Sequence, residues 1–169
     1  MPARTEATGG ELVVRRLLPA PPDLVFEVWT QPEHIVRWWG PRGYTAFSCE
    51  MDVRPGGRWR VGMRSPDGKA MWTRGEFREL ERPSRLVFTF AWEEPDGVLD
   101  DRERLVTVSF TERSGQTEVV VRHAAFATIE ARDRHGEGWS DCLDRFIEHL
   151  ERGAARRSLT TTGTQPQEK

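Results

Sequence analysis

Apolar and polar residues alternate in short segments along most of the chain, which is the pattern of strands with one buried face. The alternation predicts strands over residues 12–18, 44–53, 58–64, 70–80, 86–92, 104–111 and 117–123. The turns between them are rich in Pro, Gly and Asp, as in Ser65-Pro66-Asp67-Gly68. The connections between the later strands are too short for a crossover helix, so the sheet is predicted to be antiparallel.

The same alternation assigns faces to the last three strands. On each strand the more apolar set is expected to face the core or a cavity, because an antiparallel sheet commonly buries one face. The three sets are Leu86, Phe88, Phe90 and Trp92; Val106, Val108 and Phe110; and Thr117, Val119, Val121 and His123.

Helical periodicity is found in three segments. A short helix is predicted from Asp23, after a Pro-rich stop at residues 19–22, and a second over 31–39, for which Thr30 suits the N-cap. The third is an amphipathic helix over about residues 128–151. Its length of roughly 36 Å at 1.5 Å per residue matches a strand of roughly eleven residues at 3.3 Å, so it can lie across the whole sheet.

The long helix completes an α+β fold, in which a seven-stranded antiparallel curved sheet wraps around it and two short helices follow the first strand. Its side chains divide by helical spacing. Trp139, Leu143, Phe146 and Leu150 are predicted to be buried, and Glu137, Asp144, Arg145 and Glu148 to be exposed. Residues 11–152 form one domain, and residues 1–10 and 153–169 are predicted to be disordered tails because they hold little that can be buried.

Charge and composition restrict the partners of the chain. Its 169 residues carry a net charge of −2 with 31% charged residues, which gives no field toward nucleic acid or an anionic membrane. No apolar run is long enough to span a membrane, and the N-terminus lacks the apolar segment of a secretory signal, which predicts a cytoplasmic protein. Cys49 and Cys142 lie far apart in apolar segments and are expected to be buried thiols.

The sequence contains none of the common catalytic motifs. There is no nucleophile elbow, phosphate-binding loop, dinucleotide-binding glycine run or zinc-protease motif. His135-Gly136-Glu137 matches half of a zinc deaminase signature, but the Cys-x-x-Cys half is missing. The four histidines have no metal-ligand spacing. We therefore expect no metal, no cofactor and no dedicated catalytic residue.

One straight helix across a curved sheet leaves space at one end, which predicts an apolar pocket between them. Its expected lining is Trp72, Phe88, Phe90, Val108, Val121, His123, Trp139 and Leu143, with Trp38 and Trp39 near the mouth. Arg16 and Glu76 are polar candidates because both lie on strands and can turn inward. An inward Arg16 needs a carboxylate, and Glu76 is the first candidate for that partner. His123 is interpreted either as a hydrogen-bonded histidine at a sheet end or as a polar group of the pocket wall.

Several blocks of residues, in a fixed order, are similar to one known family. They are Arg16 with Ala20-Pro21, Val25-Phe26 with Trp29-Thr30, Pro32-Glu33-His34, Trp38-Trp39-Gly40-Pro41, residues 52–59, Gly75-Glu76-Phe77, Pro83 with residues 85–88, and Gly138-Trp139 with Leu143 and Leu150. In these blocks the chain resembles the bacterial START-like (SRPBCC, helix-grip) domains of the group named for homologues of the heat-shock protein 90 ATPase activator. The match covers about residues 11–152. The resemblance implies the fold predicted above, with a cavity under the long helix, and no shared catalytic motif.

Three functions remain open at this point. The favoured one is a domain that binds an unknown apolar or aromatic small molecule, because apolar walls provide area and shape rather than a group matched to developing charge. The second is a cyclase-, aromatase- or hydrolase-like enzyme, as in the wider superfamily, with Glu76 and His123 as the pocket acid and base. The third is a regulatory or chaperone-linked interaction module with a sealed interior, and a homodimer is also left open.

Overall fold

The computed structural model describes residues 10–93, 104–124, 126 and 128–163, without the side chains of 154–163. Strands and helices follow one another in the predicted order. They are β1 (Leu12–Leu18), α1 (Pro22–Thr30), α2 (Pro32–Trp38), β2 (Thr45–Met51), β3 (Arg58–Arg64), β4 (Ala70–Glu81), β5 (Arg85–Trp92), β6 (Arg104–Arg113), β7 (Gln116–Ala124) and α3 (Ile129–Gly163). The predicted α+β fold is confirmed.

The strands of the described chain form one open sheet of seven, in the order β1-β7-β6-β5-β4-β3-β2, and every neighbouring pair is antiparallel. The first strand pairs with the last one, so that Leu12 lies opposite His123 and Leu18 lies opposite Thr117. The other neighbours are joined by successive hairpins. The pairing of β1 with β7 places the N-terminal strand beside the strand that leads into the long helix.

The two short helices lie between β1 and β2, as predicted, but their caps differ from the prediction. Thr30 ends α1, and its hydroxyl donates to the carbonyl oxygen of Phe26 at 2.8 Å instead of capping the next helix. Gln31 is the N-cap of α2 and makes no side-chain capping bond. Pro22 and Pro32 begin the two helices, where a missing backbone N–H costs nothing.

Aromatic side chains dominate the core between the short helices and α3. The rings of Trp29 and Trp38 meet edge to face at 4.9 Å between centroids, and Phe146 of α3 lies 4.4 Å from Trp38 and 5.8 Å from Trp29. The predicted inner faces of β6 and β7 are also buried, with Val108 and Val121 fully inaccessible. We call the sheet surface that packs against α3 the inner face, and the opposite one the outer face.

The long helix begins close to its predicted start, where the Thr128 hydroxyl accepts a hydrogen bond from the N–H of Ala131 at 3.0 Å. Its buried face is as predicted. Trp139, Leu143, Phe146 and Leu150 are all at most 5% exposed. Glu137 is exposed, but Asp144, Arg145 and Glu148 are only half-exposed. Arg145 is covered because its guanidinium donates to the carbonyl oxygens of Gly40, Pro41 and Tyr44.

The helix also extends past the predicted end at residue 151, to Gly163. Part of the predicted tail of residues 153–169 is therefore helical, because Ala and Arg at 154–157 are strong helix formers and no proline interrupts the chain before Gly163. Residues 164–169 and 1–9 lie outside the described residues. Within the described part of the chain, no helix combines the length and apolarity needed to cross a membrane.

Candidate ligand pocket

A cavity of about 120 Å³ lies between the N-terminal half of α3, the segment that follows α2, and the inner faces of β3, β4 and β5. Its walls are mostly aromatic and sulfur-containing side chains. The lining residues are Trp39, Pro41, Tyr44, Met63, Met71, Phe90, Trp92, Arg134, His135, Gly138, Trp139 and Cys142. No carboxylate is among these lining residues.

The three tryptophans in the wall have their N–H groups bound inside the protein. The donors and acceptors are Trp39 Nε1 and Thr73 Oγ1 at 3.3 Å, Trp92 Nε1 and His135 Nε2 at 3.2 Å, and Trp139 Nε1 and His123 Nδ1 at 3.0 Å. An indole has a single donor, so once that donor is engaged the rest of the ring offers carbon only. The wall is therefore suited to an apolar ligand.

His135 is fixed in one tautomer by its two neighbours. Its Nδ1 lies 2.9 Å from the carbonyl oxygen of Ala131, which can only accept, so Nδ1 carries the proton. Its Nε2 then accepts from Trp92, which lies at the end of β5. The pair joins α3 to the sheet along one side of the cavity, with the imidazole neutral in this arrangement.

His123 lies behind Trp139 and outside the lining. Its side chain is fully buried, and burial holds its pKa well below the usual value, helped by the positive charge of the nearby Arg104. Nδ1 accepts from Trp139, so Nε2 carries the proton, and within the described chain Nε2 has no hydrogen-bond partner. Of the two interpretations offered by the sequence, the hydrogen-bonded histidine at the sheet end agrees with this position.

Gly138 leaves the cavity open on the helix side. A glycine inside a helix costs about 1 kcal/mol relative to alanine, so a steric or functional reason is expected for it. A Cβ placed there would find only the Pro41 ring, at an ordinary contact distance of 3.7 Å from its Cγ. Close packing of the backbone does not require glycine at this position, and any longer side chain would extend into the cavity.

Three of the predicted lining residues, Trp39, Phe90 and Trp139, meet at the cavity. The others lie elsewhere. The hydrophobic core contains five of them, Trp38, Phe88, Val108, Val121 and Leu143. His123 lies behind Trp139, and Trp72 lies on the outer face. Phe88 lines a separate void of only about 10 Å³, at most large enough for a water molecule.

The position of Trp72 corrects its predicted place in the pocket. Met71 lines the cavity and Thr73 bonds to Trp39, so alternation along β4 turns Trp72 to the outer face. There its ring lies flat over Gly62, where a Cβ would come within 2.6 Å of the ring. The guanidinium of Arg60 stacks 3.7 Å from the centroid of the ring.

The predicted pairing of Arg16 with Glu76 is wrong. Arg16 does turn to the inner face, but its Nε donates to Asp144 of α3 at 3.1 Å, and its side chain is only 12% exposed. Glu76 follows the same parity as Trp72 and lies on the outer face, 3.2 Å from Nε of Arg78. Neither residue lines the cavity, so neither supplies the polar group expected there.

A second depression, of about 430 Å³, lies on the outer face around Glu76. It is larger than the inner cavity, but charged side chains that neutralise one another line it. Arg60 binds both carboxylate oxygens of Glu93, at 2.7 and 2.9 Å. A ligand there would have to displace an existing ion pair, which favours the inner cavity as the binding site.

The sequence analysis missed most of the wall. The remaining lining residues are Pro41, Tyr44, Met63, Met71, Trp92, Arg134, His135, Gly138 and Cys142. Helical spacing could have found two of them, because His135 and Cys142 lie four residues before and three after Trp139, on the same face of the helix. Trp92 belongs to the set of β5 that alternation had placed toward the core or a cavity, although it was not named as a lining residue. Met71 could not be found from the sequence, because alternation along β4 gives no direction until one contact fixes it.

The described residues contain no group of three or more His, Cys, Asp or Glu side chains placed to hold a metal ion. Cys142 is a buried free thiol, as expected, whereas the free thiol of Cys49 is only half-buried. Burial raises the pKa of each to about 12, so both are protonated at neutral pH and weakly nucleophilic. The sulfur of Cys142, which also accepts from the N–H of Gly40, contributes an apolar surface to the cavity.

Comparison with known proteins supports the fold. The family described as Activator of Hsp90 ATPase homolog 1-like protein matches residues 19–151. No curated protein matches this chain. Similar solved structures include a protein from Rhodobacter sphaeroides (24% identity, TM-score 0.75, covering 89% of this chain and 99% of that one) and one from Nitrosomonas europaea (23%, 0.74, 89% and 99%). The AHSA1 protein from Silicibacter pomeroyi is 24% identical, with a TM-score of 0.72 and coverage of 83% and 97%. At these identities the structures establish the shared fold alone.

Proposed function

Because this chain belongs to the family of Activator of Hsp90 ATPase homolog 1-like proteins, whose fold commonly binds ligands, we propose that it binds a small apolar molecule in the cavity under α3. The observation that carries the proposal is the open space at Gly138. Glycine in a helix interior is about 1 kcal/mol less stable than alanine, and no steric clash requires glycine at position 138. The space that the missing side chain leaves is part of the cavity.

The size of the cavity restricts the ligand. A dry apolar cavity of about 150 Å³ holds benzene, and the present one is about 120 Å³ and opens to solvent. A single aromatic ring therefore fits, and a fused two-ring system would fit only with part of it outside. Burying about 200 Å² of ring surface at 25 cal/mol per Å² gives about 5 kcal/mol, or a Kd of about 0.2 mM for a bare ring.

The wall supports binding more than turnover. General acid–base catalysis needs a titratable group within hydrogen-bonding reach of the substrate. His135 uses both ring nitrogens within the protein, and His123 is separated from the cavity by Trp139. The interaction-module alternative is supported less, because it was expected to have a sealed interior. The free thiols of Cys49 and Cys142 agree with a reducing compartment, and we place the protein in the cytoplasm.

Toluene is a suitable probe because it is neutral, fits the cavity and does not absorb at the 295 nm used to excite tryptophan. The wild-type emission should change with half-saturation near about 0.2 mM toluene, and saturation-transfer NMR should detect the toluene methyl group. Gly138→Leu should abolish binding by filling the cavity, whereas Gly138→Ala, whose Cβ has room, should retain it. Unchanged binding in Gly138→Leu would place the toluene elsewhere. Absence of binding to the wild type, with one-ring probes of similar size also failing, would refute the function.

A further inference from the structure

We propose that the ligand is a small aromatic carboxylate, whose ring fills the cavity and whose carboxylate pairs with Arg134 at the rim. The proposal rests on the proposed function, since it concerns the same cavity. It adds a chemical class to a site that otherwise specifies only size and apolarity.

Arg134 is the feature of the wall that points to an anion. It lies on α3 one residue before His135, lines the cavity and is exposed. It is the charged member of the lining set, because His135 is held neutral and none of the lining residues is acidic. Among the described residues, no acidic side chain forms an ion pair with it. Within the described lining, Arg134 therefore supplies a positive charge beside an apolar interior.

The positive charge of Arg134 also disfavours a ligand that is a cation. Trp39, Phe90, Trp92 and Trp139 surround the cavity with aromatic rings, and aromatic cages of this kind bind quaternary ammonium groups. In such cages the cation is attracted to the ring faces. In the present cavity a cation would also lie near the guanidinium of Arg134, and none of the described lining residues is a carboxylate that could offset the repulsion between the two positive charges. An anion gains from Arg134 and leaves the rings to contact the apolar part of the ligand.

The expected size of the effect follows from the exposure of Arg134. An ion pair at a solvent-exposed rim is weak, and a bidentate guanidinium–carboxylate pair is the strongest form of it. We expect the carboxylate to raise affinity by about two- to fivefold over a neutral compound of the same shape. Screening should reduce the difference at high salt, because the pair lies at the surface.

The test uses three compounds with the same ring: phenylacetate, the neutral phenylacetamide and the cation benzyltrimethylammonium. Their Kd values are measured by tryptophan fluorescence and calorimetry at pH 7.5, in 20 mM and 300 mM NaCl. The wild type should prefer phenylacetate over phenylacetamide by about two- to fivefold at low salt. Arg134→Gln should lose this preference while binding phenylacetamide as before. Arg134→Lys should keep part of it, because the charge remains but the planar pair is lost.

Arg152→Gln is the matched control, since Arg152 is an exposed arginine on the same helix and outside the cavity wall. It should leave all three Kd values unchanged. Equal binding of phenylacetate and phenylacetamide, strongest binding of benzyltrimethylammonium, or a preference that survives Arg134→Gln would overturn the inference. In each of those cases toluene binding and its loss in Gly138→Leu would still stand. If toluene and all three compounds fail to bind the wild type, the proposed function fails with it.

Discussion

The hydrogen bond from Trp139 to His123 joins the ligand cavity to the buried core, and its removal should be costly. His123 is fully buried, and Nδ1 receives its bond from Trp139 at 3.0 Å. Trp139→Phe removes the donor and leaves Nδ1 without a partner, which costs about 1–3 kcal/mol. The smaller ring also gives up about 1 kcal/mol of apolar contact. Together the substitution should lower the free energy of unfolding by about 2–4 kcal/mol.

A double-mutant cycle separates the hydrogen bond from the lost contact. His123→Phe alone should also be destabilising, because the indole N–H of Trp139 is then buried without an acceptor. In the double variant neither polar group remains. Its loss of stability should therefore be smaller than the sum of the two single losses, by about 1–3 kcal/mol.

Urea unfolding followed by far-UV circular dichroism provides the measurement, since tryptophan fluorescence changes with the substitution itself. With a slope of about 2 kcal/mol per M, the midpoint of Trp139→Phe should fall by about 1–2 M. Trp39→Phe is a matched control. In the wild type, Nε1 of Trp39 donates to the hydroxyl of Thr73, and this hydroxyl keeps a second neighbour, the Val61 carbonyl oxygen, when the indole is removed. If the losses in the Trp139 and His123 cycle add to within about 0.5 kcal/mol, the two side chains are not coupled and the reasoning is wrong.

Three further predictions concern other buried groups. Phe146→Ala should cost about 3–5 kcal/mol in urea unfolding, because the ring is fully buried, and a loss below about 1 kcal/mol would contradict its core position. Since the pKa of His123 is lowered in the folded state, below about pH 6.5 the unfolded chain binds a proton that the folded chain does not. Stability is therefore retained above pH 6.5 and should fall by up to about 1.4 kcal/mol per pH unit below it, a slope that His123→Phe should reduce. Cys142, which is buried, and Cys49, which is half-buried, have pKa values raised to about 12, so both should resist Ellman's reagent at pH 8 in the folded protein and react in guanidinium chloride; rapid reaction of the folded protein would contradict these raised pKa values.

The sequence by itself determined the elements and their order. Period-2 alternation and helical spacing are local properties, and each is readable without any contact between distant residues. They gave strands that differ from the observed ones by only a few residues at their ends, and the buried face of α3 through Trp139, Leu143 and Phe146. The family blocks fixed the arrangement of these elements, since their order along the chain is specific to one fold.

The tertiary structure alone decided which way β4 faces. Alternation divides Met71, Trp72 and Thr73 into two sets but does not say which set is inside. The bond from Trp39 to Thr73 and the space above Gly62 turn Trp72 outward. Glu76 follows from the same parity, so one misassigned face removed both residues from the predicted pocket.

The partners of single side chains were equally undetermined by the sequence. Arg16 pairs with Asp144, which is 128 positions away, and several other carboxylates were as plausible on charge alone. The cavity depends on more such contacts, because Gly138, Arg134 and Met63 come together only when α3 lies across the sheet. A pattern along the chain records which residues are apolar. Only the packing of distant segments records where they leave space, and that space is the site.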